Sequence, residues 1–131
     1  MTANVTPLFE LTPQAPGQTF VPADTTVLKT LMTAGGFGTR IDSINICSNS
    51  TSIENLAFYI TVGGVDYMLG TVNIPIGAGY TTIAKVEGLQ FLKPAYQNHL
   101  VLPASALLKA NAVATIAVGK TVTVIVLGGD F

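Results

Sequence analysis

Residues 121–127 alternate without a break. Val122, Val124 and Val126 face one way, and Thr121, Thr123 and Ile125 the other. A period of two marks a strand with two unlike faces. Leu56, Phe58, Ile60 and Val62 set against Ala57, Tyr59 and Thr61 repeat the pattern. Gly63-Gly64 then joins that run to residues 65–69, and two apolar runs separated by two glycines predict a hairpin. Shorter strands are predicted over 26–31, 41–47, 71–74, 80–86 and 99–102. Turns or loops fall at Ala34–Gly38, Ser48–Ser52, Pro75–Gly79 and Gly119, where glycine supplies positive φ or polar residues cluster. Residues 88–98 read as irregular. Residues 104–114 satisfy two patterns: Ala, Leu and Lys favour a helix, while Leu108, Ala110, Ala112 and Ala114 alternate. The strand is the reading taken. About eight short strands with turns between them predict an all-β fold, an antiparallel β-sandwich or jelly roll.

Residues 1–24 break the pattern. They hold four of the seven prolines, Pro7, Pro13, Pro16 and Pro22. Proline removes a donor and fixes φ, so neither a regular helix nor a central strand is expected there. The segment divides from a β-sandwich domain over 25–131. It is either a peripheral tail or an extended N-terminal arm lying on a neighbouring subunit. Leu8, Phe9, Leu11, Phe20 and Val21 are apolar anchors that a solvated tail does not need.

Charge changes the picture more than any motif. Only 10% of the 131 residues are charged, where a soluble domain has about 25%. Mean hydropathy is +0.55. The surface must therefore be built from Thr, Ser, Asn, Gln, Gly and Ala. Such a surface is cheap to dehydrate, because few ions lose their water on contact. Oligomerisation or docking is expected. The six cations, Lys29, Arg40, Lys85, Lys93, Lys109 and Lys120, are scattered, which argues against nucleic-acid binding. No stretch approaches the ~20 apolar residues of a membrane span. Residues 1–5 have no basic start and no apolar core, so no secretory leader is expected.

The chemistry-bearing residues do not assemble into a signature. Gly119-Lys120-Thr121 resembles the end of a phosphate loop, but the glycine required five residues earlier is Ala114, and a strand follows instead of a helix. Cys47 is alone, so neither a disulfide nor a cysteine-based zinc site can form from it. His99 is the single histidine and has no nucleophile or acid tied to it by spacing. The seven carboxylates are spread singly. No catalytic residue, metal ligand or cofactor site is expected. Gly128-Gly129-Asp130-Phe131 is a terminus that Phe131 ties down. Tyr59, Tyr67, Tyr80 and Tyr96 could stack sugars, although the chain has no tryptophan.

Two stretches carry a likeness. One is Val65-Asp66-Tyr67-Met68-Leu69-Gly70-Thr71-Val72 with Ile74-Pro75 and Gly77-Ala78-Gly79. The other is Leu102-Pro103-Ala104 with Leu107-Leu108-Lys109-Ala110, then Lys120 to Val124 and the final Gly-Gly-Asp-Phe. With residues 31–46 they resemble small virion proteins of tailed bacteriophages, of the head decoration or cement type. The resemblance covers residues 25–131. It implies a β-sandwich, self-association, and attachment to the outer face of a capsid. The expected function is non-enzymatic: a capsid decoration protein that binds the major capsid protein of the same virion and forms a homo-oligomer, a trimer or dimer. Leu8, Phe9, Leu11, Phe20 and Phe37 are the expected contact residues. The alternative is a ligand- or carbohydrate-binding module of a phage tail or head fibre.

Overall fold

The computed structural model describes residues 12–95 and 97–131. Ten strands run through them: β1 (Thr12–Gln14), β2 (Gly17–Phe20), β3 (Lys29–Thr33), β4 (Thr39–Ser48), β5 (Glu54–Val62), β6 (Val65–Ile74), β7 (Val86–Glu87), β8 (Leu100–Leu102), β9 (Leu107–Ala112) and β10 (Val122–Asp130). One helical turn, α1 (Leu89–Leu92), and a 3-10 turn at Pro22–Asp24 are the described helical segments.

The topology is one long hairpin rolled up, with Gly63-Gly64 at its tip. Both glycines have positive φ, 60° and 78°, the type I′ geometry whose twist matches paired strands. Moving outward from the tip, β5 pairs with β6, β4 with β7 and β8, β3 with β9, and β1 and β2 with β10. Two further pairings, β4 with β10 and β5 with β9, gather the strands into two antiparallel sheets. One has the order β1-β10-β4-β7, with β2 also on β10 and β8 also on β4; the other is β3-β9-β5-β6. Counting β1/β2 and β7/β8 as one broken strand each, there are eight positions in the order of a jelly roll.

The sheets close on apolar side chains. Phe20, Ile41, Ile44, Ile46, Leu56, Phe58, Val72, Ile74, Leu108 and the inward valines of β10 are all essentially buried. Ile41 and Ile44 both face inward although they are three positions apart. A bulge makes this possible: Leu127 pairs with Ser43 but Gly128 pairs with Ile41, leaving Asp42 as the extra residue and resetting the alternation. Leu31 is the extra residue of a second bulge in β3, where Leu31 and Met32 are both buried.

The structure corrects the reading of residues 1–24 where it describes them. Residues 12–20 are the first strand position of the sandwich, so the domain does not begin at Thr25. Pro13 and Pro16 are tolerated because this is a sheet edge, where a missing donor breaks no ladder. Pro16 instead accepts a hydrogen bond from Val126 N–H at 2.9 Å. Phe20 belongs to the core of its own chain, with no exposed surface, and is not a contact residue. Residues 80–85 are not a strand. Gly77 and Gly79, both at positive φ, curl the chain back so that Gly79 N–H meets Ile83 O at 2.9 Å and Tyr80 N–H meets Gly77 O at 3.0 Å. The loop satisfies itself and needs no ladder. Residues 107–112 are a strand, as the alternation required.

The closing Gly-Gly-Asp-Phe is structural. A Cβ on Gly128 would lie 2.0 Å from the carbonyl oxygen of Arg40, so only glycine lets β10 approach β4 at the bulge. Asp130 accepts hydrogen bonds from Gln14 and Thr39. Phe131 N–H donates to Gly38 O at 3.2 Å. Gly128→Ala is expected to destabilise the fold by about 3 kcal/mol or more, because the clash is with backbone and cannot relax by a rotamer change. Gly36→Ala meets nothing within 4 Å and is expected to change stability by less than about 0.5 kcal/mol. Denaturant midpoints of the two variants check this.

Candidate functional site: an apolar loop end

The rolled hairpin gathers its connections at two ends. At one end lie the segments 21–28, 49–53, 75–85 and 113–121, because β4, β6 and β9 finish there and β3, β5 and β10 start there. These loops are cross-tied. Ser48 N–H donates to Ala78 O at 2.8 Å and Gly77 N–H to Ser50 O at 3.3 Å. Asn49 N–H donates to Thr121 O, and Thr121 N–H returns to the Asn49 side chain at 2.8 Å. Glu54, 6% exposed, accepts from the Ser50 hydroxyl at 2.8 Å and from Ala117 N–H at 3.4 Å. The carboxylate thus joins two loops. Asn111 Nδ2 holds the fourth through Thr26 O at 3.1 Å.

Large apolar side chains project from this tied frame. Val118 is 92% exposed, and Val27, Ile53 and Val113 are also exposed. The 75–85 loop adds Ile76, Tyr80 and Ile83. Two lysines share these segments, Lys85 exposed and Lys120 half-buried. Lys29 and Asp24 pair at 3.1 Å, the Lys29 ammonium also lies 5.3 Å from the Phe20 ring centre, and Glu54 is buried. Exposed apolar groups on pre-ordered loops lose little conformational entropy when covered.

Among the expected contact residues, Phe37 is presented to solvent, 86% exposed, but at the opposite end. Its turn is fixed by Gly38 N–H to Gly35 O at 3.1 Å and by Gly35 N–H to the Thr39 hydroxyl at 3.0 Å. Leu8, Phe9 and Leu11 lie outside the described residues, as does Tyr96. Of the five, the described residues hold only Phe20, in the core, and Phe37, exposed on its turn. The residues of the apolar end had a legible signal that periodicity does not capture. Ile53 closes a run of Ser and Thr, Ile76 stands between Pro75 and Gly77, and Val118 precedes Gly119. Each is a large apolar residue in a segment composed as a turn.

The remaining chemistry-bearing residues stay apart. Cys47 is half-buried against Gly79, and His99 is half-buried just before β8. Tyr67 and Tyr80 are exposed at opposite ends, and Tyr59 is half-buried, so they form no common ring platform. Among the described residues no cluster of three or more His, Cys, Asp or Glu could hold a metal ion, no cavity is found, and no helix is long and apolar enough to cross a membrane. No family profile, curated protein or solved structure matches the chain.

Two carboxylates are held below the usual range. Val21 N–H, at 2.9 Å, is the leading cause for Asp24, and Lys29 adds to it against the opposing effect of burial. For Asp66 the Thr61 hydroxyl leads and Lys109 contributes. A lowered folded-state value means that folding favours the ionised form. The stabilisation is complete above the unfolded-chain value of about 3.9 and is lost as pH falls through the lower folded value. Asp24→Asn is therefore expected to lower the melting temperature by a constant amount from pH 7 to 5. The difference should vanish as pH falls well below about 4. Paired thermal melts across that range check it.

Proposed function

We propose that this chain is a non-enzymatic structural protein that acts by protein–protein contact through the apolar loop end. The carrying observation is the set of large apolar side chains on cross-tied loops, Val118 foremost, in a chain with few charges. The surface costs little to dehydrate and little to order, so more of the ~25 cal/mol per Å² of apolar contact is left to offset the cost of association. The jelly-roll order is used by viral shell proteins and by lectins alike, and a fold alone does not select a function. The likeness of residues 25–131 to head decoration proteins selects the particular role. We place the protein on the outer capsid surface of a bacteriophage virion. There, as a self-associating subunit, it binds the major capsid protein and reinforces the lattice by repeated burial.

The test is co-sedimentation with shells assembled from the major capsid protein of the same virion. Ile53→Asp combined with Val118→Asp is expected to weaken binding at least tenfold, with an unchanged melting temperature because both side chains are exposed. Val101→Asp, exposed on the outer face of β8, is expected to bind normally. Undiminished binding by the double variant would falsify the loop-end contact. The part played by the N-terminal anchors needs a truncation ending before Thr12. Removing residues 1–20 takes away β1, β2 and Phe20, and tests folding instead of binding. Deletion of 1–11 is expected to leave the sandwich intact and to weaken shell binding through the loss of Leu8, Phe9 and Leu11. Binding equal to that of the full chain would rule out the arm contact.

A further inference from the structure

Three of the four sheet edges are blunted. The β1/β2 edge is broken into three and four residues and carries Pro13 and Pro16. The β7/β8 edge is two and three residues long, with α1 between its halves. β3 has five residues and the Leu31 bulge. These are the devices by which sheets avoid pairing with other chains. Of these devices β6 has only a bulge, at Leu69. It runs ten residues without Pro or Lys, and Asp66 is its only charge. Among the described residues its backbone ladder is to β5 alone, and no other backbone hydrogen bond reaches it.

From this contrast we infer that the β6 edge is a self-association surface whose occupant is β6 of a second copy. The two strands run antiparallel about a two-fold axis between Leu69 and Gly70. The register follows from the bulge. Phe58 pairs with Gly70 and Tyr59 with Met68, so Leu69 is the extra residue. Asp66 and Met68 therefore share the outer face with Thr61 and Tyr59. Beyond the bulge, Thr71 and Asn73 share it with Ala57 and Asn55.

A two-fold between residues 69 and 70 sets Met68 against Thr71 and Asp66 against Asn73, outer face against outer face. It also sets Tyr67 against Val72, inner against inner. Asp66 then meets a neutral amide and not its own copy, so no like charges oppose. Exposed apolar groups flank the axis. Tyr67 and Met68 are exposed on the strand. Phe91, also exposed, has its carbonyl 3.9 Å from where a Cβ on Gly70 would lie. Pairing joins the two four-stranded sheets into one of eight.

The inference deepens the self-association part of the proposed function and is independent of the shell contact. Sedimentation equilibrium of the full 131-residue protein is expected to give a dimer. Met68→Lys and Thr71→Lys each place a lysine on the exposed edge and are expected to weaken the dimer at least tenfold, with an unchanged melting temperature in dilute solution. A second measurement reads the register. Met68→Cys and Thr71→Cys proteins, each also carrying Cys47→Ser, are mixed and oxidised. A 68–71 cross-link between copies is expected, since opposed residues sit within disulfide reach. Neither protein should cross-link alone. A wild-type monomer, a trimer, a dimer that survives both lysines, or no cross-link in the mixture each overturn the pairing. Shell binding by the monomeric Met68→Lys protein separates the two ideas: it persists if only the loop end is needed. Loss of shell binding in a still-dimeric Val118→Asp protein leaves the edge pairing standing.

Discussion

β10 has to be hydrogen-bonded along both of its edges at once, and the rest of the structure depends on that. On one side it takes β1 and β2; on the other it takes β4 over nine residue pairs. The second contact is possible only because Gly128 lets the two backbones close up where β4 bulges. From the bulge follows the inward placement of both Ile41 and Ile44, and from that the filling of the core on the β4 side. From the first contact follows the burial of Phe20, whose ring is brought over the core by a strand with its backbone ladder to β10 and side-chain ties from Gln18 to Thr30 O and from Lys29 to Thr19 O. The terminal Asp130 then fastens the neighbouring turn through Thr39 and the first strand through Gln14.

The low charge of the chain and the stiffness of its loop end belong together. A surface poor in ions has weak solvation to hold its loops away from the body, and here the loops fold onto one another through Asn49, Ser50 and Thr121. Glu54 is the telling case. It is buried, and its described partners are a hydroxyl and a backbone N–H in place of a cation. It spends its acceptor capacity on holding the Ser50 and Ala117 segments together. The apolar residues that project from the frame are therefore held in place from outside the core. They owe their exposure to the loops' own hydrogen bonds.

Strands with unlike faces were legible because alternation is a local property: β5, β6, β9 and β10 and the Gly63-Gly64 tip can each be read within ten residues. What could not be read locally depended on partners far along the chain. The prolines of 12–20 argued against a strand, and only pairing with β10 makes that segment an edge where prolines are harmless. Residues 80–85 have strand-like composition, but two glycines upstream fold them onto themselves. Phe20 looked like an anchor for another molecule because nothing near it in sequence shows that it is covered. Phe37, also expected as a contact residue, is exposed on its glycine-rich turn. The apolar loop end escaped alternation altogether, since isolated large residues in turns carry no period.

The nested pairing has a consequence for biosynthesis. In a hairpin rolled from its tip, the first and last strands of the sandwich are neighbours in the finished sheet. While the protein is being synthesised, β5 and β6 can meet as soon as both have emerged. β1 and β2 must wait, with the Phe20 ring uncovered, until β10 has left the ribosome. The β1–β2 segment therefore stays unpaired, with an apolar ring uncovered, while all the strands from β3 to β9 are made. Closure of the sandwich is governed by the strand pairing of greatest sequence separation, a route that is slow for its size and sensitive to crowding by other nascent copies.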